Sequence, residues 1–212
     1  MKERFNSAGL YIFDMDGTLL DSMPAWKHLG RDYLLTQDIL PPQDLEAKIN
    51  AMTIEESAAY FQTLGLLKDT KKIRQEMLDL IYDAYYSTIP AKQEVADYLI
   101  YLSQNTDTPI CLLTTSDRVC AVHAMKRLNL YHCFDRFLTS TQLQLSKRTG
   151  EIYRTVCSLY HVSPKDTIVL EDAFYAIRAA KEAGCSVYAV PDASSQDDYD
   201  QICQTADAVF DL

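Results

Sequence analysis

Acidic side chains follow two short apolar runs of this 212-residue chain, directly where each run ends. Asp14 and Asp16 follow the first run, and Glu171 and Asp172 follow a later one. Carboxylates repel one another, so a cluster of them needs a positive charge to offset the repulsion, and a divalent cation is the usual one. Mg²⁺ prefers oxygen ligands and retains some of its water. The four acids therefore predict a Mg²⁺ site with room for an oxygen of an anionic ligand.

The residues around these acids have the types that phosphoryl transfer requires. Asp14 is predicted to give one carboxylate oxygen to the metal and to use the other as a nucleophile. Asp16 is placed to protonate the leaving oxygen and then to activate water. Gly17 permits the tight turn that exposes both acids. Thr114 and Lys147 are predicted to hold the transferring phosphoryl oxygens and to offset their developing charge.

Apolar runs that are typical of buried parallel strands must position these residues. They are Leu10–Phe13, Ile110–Leu113, Thr167–Leu170, Val187–Val190 and Ala208–Phe210. Helical patterns lie between the later runs, at Val119–Leu130, Ile152–Tyr160 and Ala173–Ala183, the last of which ends at Gly184. Strands that alternate with helices predict a parallel sheet covered on both faces, and ligands bind such sheets beyond the carboxyl ends of the strands.

The stretch between the first run and the second is too long for a single crossover connection. Apolar stripes at helical spacing fill most of it, from about Met23 to Tyr86. We therefore predict an α/β core formed by residues 1–20 and 88–212, with a helical cap domain inserted at residues 21–87.

Four short motifs resemble those of the haloacid-dehalogenase-like superfamily. The first is Asp14-x-Asp16-Gly17-Thr18 followed by Leu-Leu-Asp21-Ser22; Thr114 matches the second, Lys147 the third, and Glu171-Asp172 the fourth. The order and spacing of the motifs agree across nearly the whole chain. The resemblance implies a three-layer Rossmann-like core whose insertion is a type-one helical cap, in the branch of β-phosphoglucomutases and related phosphatases.

The resemblance also implies a role for each matching residue. Asp14 is expected to be the nucleophile and Asp16 the general acid and base. Asp16 would give the metal its backbone carbonyl and Asp172 its carboxylate, whereas Glu171 would contact the metal through water. Substrate binding is expected of Gly17, Thr18, Thr114, Thr115, Ser116 and Lys147, and of Trp26, which stands where the cap begins and could line the substrate pocket.

Two stretches depart from the family's pattern. Relatives often have Lys-Pro-x-Pro-Asp where this chain has Lys147-Arg148-Thr149-Gly150-Glu151, so the loop that carries Lys147 lacks two prolines. After the fourth motif relatives often read Ser-x-x-Gly-Ile, and this chain reads Ala173-Phe174-Tyr175-Ala176-Ile177. The first change predicts a looser loop. The second removes a hydroxyl but leaves the helix intact.

Simpler interpretations stay open for several of these residues. Thr114 and its neighbours are also typical of a polar strand end, and Ser116 is a candidate N-cap of the helix that begins near Asp117. Lys147 beside Arg148 is also typical of a solvated basic pair.

The motifs favour a small-molecule phosphatase, with three alternatives. Sugar-phosphate mutases carry a cap arginine between a Thr/Ser and a Glu/Asp, and in the run Thr53-Ile54-Glu55-Glu56-Ser57 isoleucine stands in that place. Phosphonatases need a cap lysine for a Schiff base, and Lys27 and Lys48 are candidates for it. The third alternative is a non-catalytic binding protein on the same fold, and the presence of Asp14 and Asp16 argues against it.

Composition excludes other classes of protein. A net charge of −10, from 30 acids and 20 bases, argues against a nucleic-acid-binding surface. No stretch approaches the roughly 18 apolar residues of a membrane span, and the N-terminal segment is too soon charged for a signal peptide. Six cysteines without a Cys-x-x-Cys pair indicate free thiols in a reducing compartment. We therefore predict a cytoplasmic monomer that uses Mg²⁺, acts on a small phosphorylated metabolite and has no nucleic-acid or membrane partner.

Overall fold

The central sheet is parallel throughout in the computed structural model, which describes residues 8–50 and 52–210. Within those residues its strands are β1 (Leu10–Phe13), β2 (Ile110–Thr114), β3 (Arg136–Thr139), β4 (Thr167–Glu171), β5 (Ser186–Ala189) and β6 (Ala208–Val209). Their order in the sheet is β3-β2-β1-β4-β5-β6, and helices lie on both faces. The predicted three-layer Rossmann-like α/β fold is confirmed.

The edge strand β3 is the one strand among the described residues that was not predicted from the sequence. Its four residues, Arg136 to Thr139, include only two apolar side chains and therefore do not form an apolar run. Arg136 is exposed and Leu138 is only partly buried, as expected at the edge of a sheet. It nevertheless pairs with β2 in parallel, from Arg136 opposite Cys111 to Thr139 opposite Thr114. The strand that ends in Glu171 is therefore the fourth along the chain and not the third.

The two central strands bring their ends to the same level. Every residue of β1 and β4 is buried, and the register pairs Phe13 with Leu170. Burying an aliphatic side chain stabilises a fold by about 1.5–3 kcal/mol, so these runs hold the backbone firmly up to the point where the acids begin. Parallel strands buried on both faces need this continuous apolar pattern.

The segment Ser22–Ile89 forms a helical unit of its own, in which Ala51 is outside the described residues. Its helices are α1 (Met23–Thr36), α2 (Leu45–Ile49), α3 (Ile54–Thr63) and α4 (Thr70–Ser87). Helix α4 buries one stripe at helical spacing, consisting of Ile73, Met77, Ile81 and Tyr85. The side chain of Asp69 caps its N-terminus by accepting from the N–H groups of Lys71 and Lys72.

The described residues up to Asp21 and from Pro90 onward form the α/β unit. Its helices are α5 (Gln93–Asn105), α6 (Arg118–Arg127), α7 (Ser140–Leu143), α8 (Gly150–Leu159), α9 (Phe174–Ala183) and α10 (Tyr199–Thr205). Helix α9 ends at Gly184, whose φ of +96° is the left-handed conformation that favours glycine. Over the described part of the chain, no helix is both long enough and apolar enough to cross a bilayer.

The chain leaves the α/β unit and returns to it at neighbouring points. Leu20 and Ala91 form an isolated antiparallel bridge. Next to it, the N–H of Asp21 donates to the carbonyl of Pro90 at 3.0 Å. The two ends of the helical insertion are therefore one hydrogen bond apart.

Candidate active site

The first motif begins where β1 ends. The N–H of Asp14 donates to the carbonyl of Leu170 at 3.0 Å, which continues the pairing of β1 with β4 and fixes the backbone that carries this acid. Gly17 has a φ of +80°, and its N–H donates to the carbonyl of Leu20 at 3.0 Å. The chain therefore turns back directly after Asp16, as the sequence predicts. A positive φ of this size is a conformation that only glycine adopts easily.

Three carboxylates meet at the carboxyl ends of β1 and β4. One oxygen from each of Asp14, Glu171 and Asp172 lies within 4.8 Å of the other two. The three residues are only 6%, 1% and 4% exposed. The Thr18 hydroxyl donates to Asp172 Oδ1 at 2.9 Å, and the N–H of Ala173 donates to Glu171 Oε1 at 3.2 Å. These bonds hold the carboxylates of Asp172 and Glu171 in place.

Gly17 also packs directly against one of these acids. A Cβ atom at position 17 would overlap the carboxylate of Asp172. The glycine is therefore required twice, for its positive φ and for the space that it leaves.

Lys147 reaches the acids from the loop before α8. Its Nζ lies 2.6 Å from Asp14 Oδ1 and 2.5 Å from Glu171 Oε2, and the residue is only 3% exposed. Burial lowers the pKa of Lys147, but the charges of Asp14 and Glu171 outweigh burial and raise it well above its ordinary value. Lys147 is thus a buried cation in contact with the cluster, and the interpretation as a solvated basic pair with Arg148 is wrong.

The charge balance of the cluster favours a divalent cation. Burial and then the charge of Asp14 raise the pKa of Glu171 to about 7, although Lys147 opposes the shift. Burial, followed by the charges of Glu171 and Asp14, raises the pKa of Asp172 well above its ordinary range. One ammonium group does not balance the negative charge of three buried carboxylates. All the candidate ligand atoms of the cluster are oxygens. Such a donor set fits a hard cation such as Mg²⁺.

The polar residues at the end of β2 and directly after it connect to the first motif. Thr114 is buried, and its hydroxyl accepts from the N–H of Ser116 at 3.0 Å. The Ser116 hydroxyl donates to Asp16 Oδ2 at 2.6 Å. The N-cap of α6 is Asp117, so the interpretation of Ser116 as that cap is wrong. Thr115 is exposed beside them. The structure thus ties Ser116 to the predicted acid and base.

An arginine–tyrosine contact lies on the loop that lacks the family's two prolines. The guanidinium carbon of Arg148 is 4.4 Å from the centroid of the Tyr175 ring, a cation–π distance. Tyr175 stands on α9, directly after the fourth motif. The two stretches that depart from the family's pattern therefore touch each other, and the contact joins the Lys147 loop to the helix behind Glu171.

Tyr153 lies next to the cluster and was not predicted from the sequence as a site residue. It is fully buried on α8, and within the described residues its hydroxyl has no hydrogen-bond partner. Burial raises the pKa of Tyr153 well above its ordinary value, with Lys147 opposing and Glu171 adding to the shift. Nothing in the sequence marks it, because an apolar-periodic helix position also reads as ordinary core.

Trp26 belongs to the helical unit and has a partner there. Its indole N–H donates to the hydroxyl of Tyr85 at 2.8 Å, and the two rings meet edge to face at 6.5 Å. This bond orients the indole. A role for Trp26 in substrate binding stays a prediction.

A parallel α/β core with buried acids at two strand ends, a lysine between them and a helical insertion after the first strand defines one class of hydrolase. The family model of the haloacid dehalogenase-like hydrolases matches residues 11–190, and the chain belongs to this family. The resemblance on which the sequence analysis relies is therefore confirmed.

Characterised relatives are similar over most of their length. The fructose-1-phosphate phosphatase of Escherichia coli is 28% identical over 193 residues, which is 87% of this chain and 95% of the relative. The phosphorylated carbohydrates phosphatase of Thermotoga maritima is 26% identical, over 82% of this chain and 80% of its own. The β-phosphoglucomutase of Bacillus subtilis is 27% identical, over 82% and 79%.

Solved structures share the fold. CbbY of Rhodobacter sphaeroides, in complex with phosphate, has a TM-score of 0.73 at 18% identity and covers 96% of this chain and 93% of its own. A Thermotoga maritima protein described as a β-phosphoglucomutase reaches a TM-score of 0.81 at 22% identity, covering 95% and 93%. At these identities the likeness concerns the fold alone.

Proposed function

We propose that this protein is a magnesium-dependent phosphatase that hydrolyses a small phosphorylated metabolite through an aspartyl-phosphate on Asp14. The observation that carries the proposal is the buried cluster of Asp14, Glu171 and Asp172, with Lys147 Nζ 2.6 Å from Asp14 Oδ1. A nucleophilic carboxylate needs cations beside it, because a phosphate ester is itself anionic. Lys147 supplies one cation, and the three carboxylates would bind a second, Mg²⁺.

The reaction uses the chain's residues in two half-reactions. An Asp14 oxygen attacks phosphorus, the ester P–O bond breaks, and Asp16 gives its proton to the leaving oxygen. Asp16 then takes a proton from water, whose oxygen attacks the phosphorus and releases Asp14 with inorganic phosphate. Lys147, Thr114 and the loop that follows Thr114 offset charge on the transferring oxygens.

The acids divide between catalysis and metal binding. The carboxylates of Asp14 and Asp172 and the backbone carbonyl of Asp16 would hold Mg²⁺, with Glu171 acting through water. When bound there, Mg²⁺ would offset negative charge on a phosphoryl oxygen. Burial and the charge of Asp14 raise the pKa of Glu171 to about 7, because they disfavour its ionised form. A bound cation would favour the ionised form, which supports this assignment.

The names of the relatives support a phosphorylated sugar or polyol as the substrate. The matched phosphatases of Escherichia coli include those named for fructose 1-phosphate and for hexitols, and one from Streptomyces hygroscopicus is named for validoxylamine A 7′-phosphate. These substrates share a polyhydroxylated carbon skeleton with one phosphate ester. We propose the same chemical class here, and a cytoplasmic monomer without nucleic-acid or membrane partners.

A mutase is the second candidate, because a β-phosphoglucomutase is among the relatives. Ile54 occupies the place where such mutases carry an arginine. In the structure the residues on either side of Ile54 have local roles. Thr53 forms a capping box with Glu56 at the start of α3, and Glu55 forms an ion pair with Arg74. Their presence therefore needs no mutase function. Incubation with sugar phosphates, followed by phosphorus NMR, tests this candidate: efficient isomerisation with little free phosphate would favour the mutase.

The deciding experiment measures phosphate release from a panel of sugar and polyol phosphates with Mg²⁺. Wild-type protein is compared with Asp14→Asn, which keeps the shape but removes the nucleophile, and with Asp107→Asn, the same change in an exposed loop residue. We expect turnover by wild type and Asp107→Asn and none by Asp14→Asn. Undiminished turnover by Asp14→Asn would rule out the covalent mechanism, and no turnover by wild type would favour a binding protein.

A further inference from the structure

Lys92 lies just past the point where the chain re-enters the α/β unit, and its side chain is almost enclosed. Its Nζ donates to the carbonyl of Gly17 at 2.6 Å, to the carbonyl of Pro191 at 2.8 Å and to Asp192 Oδ2 at 2.8 Å. The side chains of Lys92 and Asp192 are 11% and 5% exposed. An ammonium group has three donors, and all three are used.

The first of these acceptors belongs to the turn after the catalytic acids. Gly17 turns the chain with a φ of +80°, and its carbonyl sits on the peptide that leads into Thr18. The hydroxyl of fully buried Thr18 donates to Asp172 Oδ1 at 2.9 Å. A cation on the Gly17 carbonyl therefore fixes a peptide whose next side chain holds a candidate metal ligand.

The backbone around Lys92 is equally tied to the same turn. The N–H of Lys92 donates to the carbonyl of Leu19 at 2.9 Å, beside the bridge between Leu20 and Ala91. Lys92 thus forms hydrogen bonds to the turn through both its backbone and its side chain. Its bond to the carbonyl of Pro191 connects the turn to the loop after β5.

We propose that Lys92 is a positioning residue, which holds the Gly17–Thr18 peptide so that Thr18 keeps Asp172 in the geometry that binds metal. The assignment extends the function proposed above, since it concerns the same site. In this role Lys92 contacts neither substrate nor metal, because its three donors are used by Gly17, Pro191 and Asp192. Residues that orient metal ligands in this way are worth about 10- to 100-fold in metal affinity or activity.

A purely structural role is the competing explanation, because a buried ion pair also affects folding. Lys92→Met alone leaves Asp192 buried without its cation, which can destabilise the fold. The double variant Lys92→Met/Asp192→Asn removes both charges and still deprives the Gly17 carbonyl of its donor. Lys181→Met is the matched control: Lys181 pairs with Asp207 at 2.7 Å in the same unit, away from the turn.

The experiment measures Mg²⁺ affinity by calorimetry, hydrogen exchange of the segment 15–20, and kcat and KM on the best substrate of the panel, all at a temperature where each variant is folded. We expect the double variant to lose about 10- to 100-fold in Mg²⁺ affinity and in kcat, with faster exchange in 15–20 and little change in KM. Lys181→Met should match wild type in all three.

Wild-type Mg²⁺ affinity and unchanged exchange in the double variant would overturn the proposal, whatever its melting temperature. The two proposals also fail separately. If wild-type protein hydrolyses no ester, the proposed function is wrong, and the exchange and calorimetric measurements still decide the role of Lys92.

Discussion

The Ser116 hydroxyl donates to Asp16 Oδ2 at 2.6 Å, across 100 positions of sequence. This bond fixes the carboxylate that is proposed to pass a proton to the leaving oxygen. We expect Ser116→Ala to lower kcat about tenfold, since a hydrogen bond to a charged group is worth about 1.5–3 kcal/mol. Ser116→Thr keeps the hydroxyl and should recover most of the rate. The same truncation at exposed Ser158 is the control, and equal kcat for both alanine variants would refute the prediction.

Removal of the metal should abolish binding of phosphate analogues. A phosphate dianion would enter a site that already holds Asp14, Glu171 and Asp172, with Lys147 as the counter-charge in contact with them. At about 4 Å and an effective dielectric constant near 20, each like-charge pair costs about 4 kcal/mol. Titration of orthovanadate or fluoroberyllate into chelator-treated protein, with and without Mg²⁺, measures the difference. Equal affinity under both conditions would mean that the cluster is not a metal site.

Lys147→Met should lower the stability of the protein more without metal than with it. Breaking a buried ion pair by removing one partner costs about 3–5 kcal/mol, so the metal-free variant should melt well below wild type. Mg²⁺ would supply part of the missing positive charge. We therefore expect Mg²⁺ to raise the melting temperature of the variant more than that of wild type, while phosphatase activity falls at least about 100-fold. A Mg²⁺-induced shift no larger than that of wild type would contradict this.

The Arg148–Tyr175 contact should stiffen the loop that carries Lys147, which lacks the two prolines of the family's pattern. Its loss should increase the mobility of the loop that carries Lys147 and lower kcat by a factor of about 2–5. This is the effect expected for a cation–π pair of about 0.5–1 kcal/mol whose arginine is exposed. Tyr175→Leu and Arg148→Gln, singly and together, form a double-mutant cycle for kcat, and Tyr175→Phe keeps the ring as a control. Strict additivity of the two changes would show that the pair has no coupled role.

Asp192 should contribute an acid-sensitive part of the stability. Burial raises the pKa of Asp192, but hydrogen bonds from Lys92 and Ser194 outweigh burial and lower it below its ordinary value. A lowered folded-state pKa gives stability that is fully present above the unfolded-state pKa of about 4 and is lost as the pH falls through the folded-state pKa. In urea unfolding of metal-free protein, the stability difference between wild type and Asp192→Asn should shrink below about pH 4. A difference independent of pH would contradict the ion pair.

Apolar runs in the sequence were enough to predict the central strands and the acids at their ends. The runs before Asp14 and Glu171 are continuous and apolar, and they form the buried central strands that the sequence predicts. Lys147 followed from its place between the second and fourth motifs. The strand Arg136–Thr139 lies at the edge of the sheet and pairs with a strand on one side only. It is less buried than the central strands, so its sequence has neither an apolar run nor a clear periodicity.

Contacts between distant segments were out of reach of the sequence. The partners of Lys92 stand 75 to 100 positions away, and only the folded chain brings them to one ammonium group. The Arg148–Tyr175 contact is of the same kind, because each residue alone reads as a departure from the family's pattern. A pattern shows which residue types are present. It does not show which departures compensate each other.

The hydrogen bond between Asp21 and Pro90 gives the helical insertion the character of an exchangeable module. All strands of the described sheet come from outside the inserted segment, and a short turn would be long enough to join the two cut ends. Different lengths of chain can therefore be grafted at this point at little entropic cost to the host, since closure of a longer loop costs only logarithmically more. Selection can rewrite the insertion while the strands that carry Asp14 and Glu171 stay as they are.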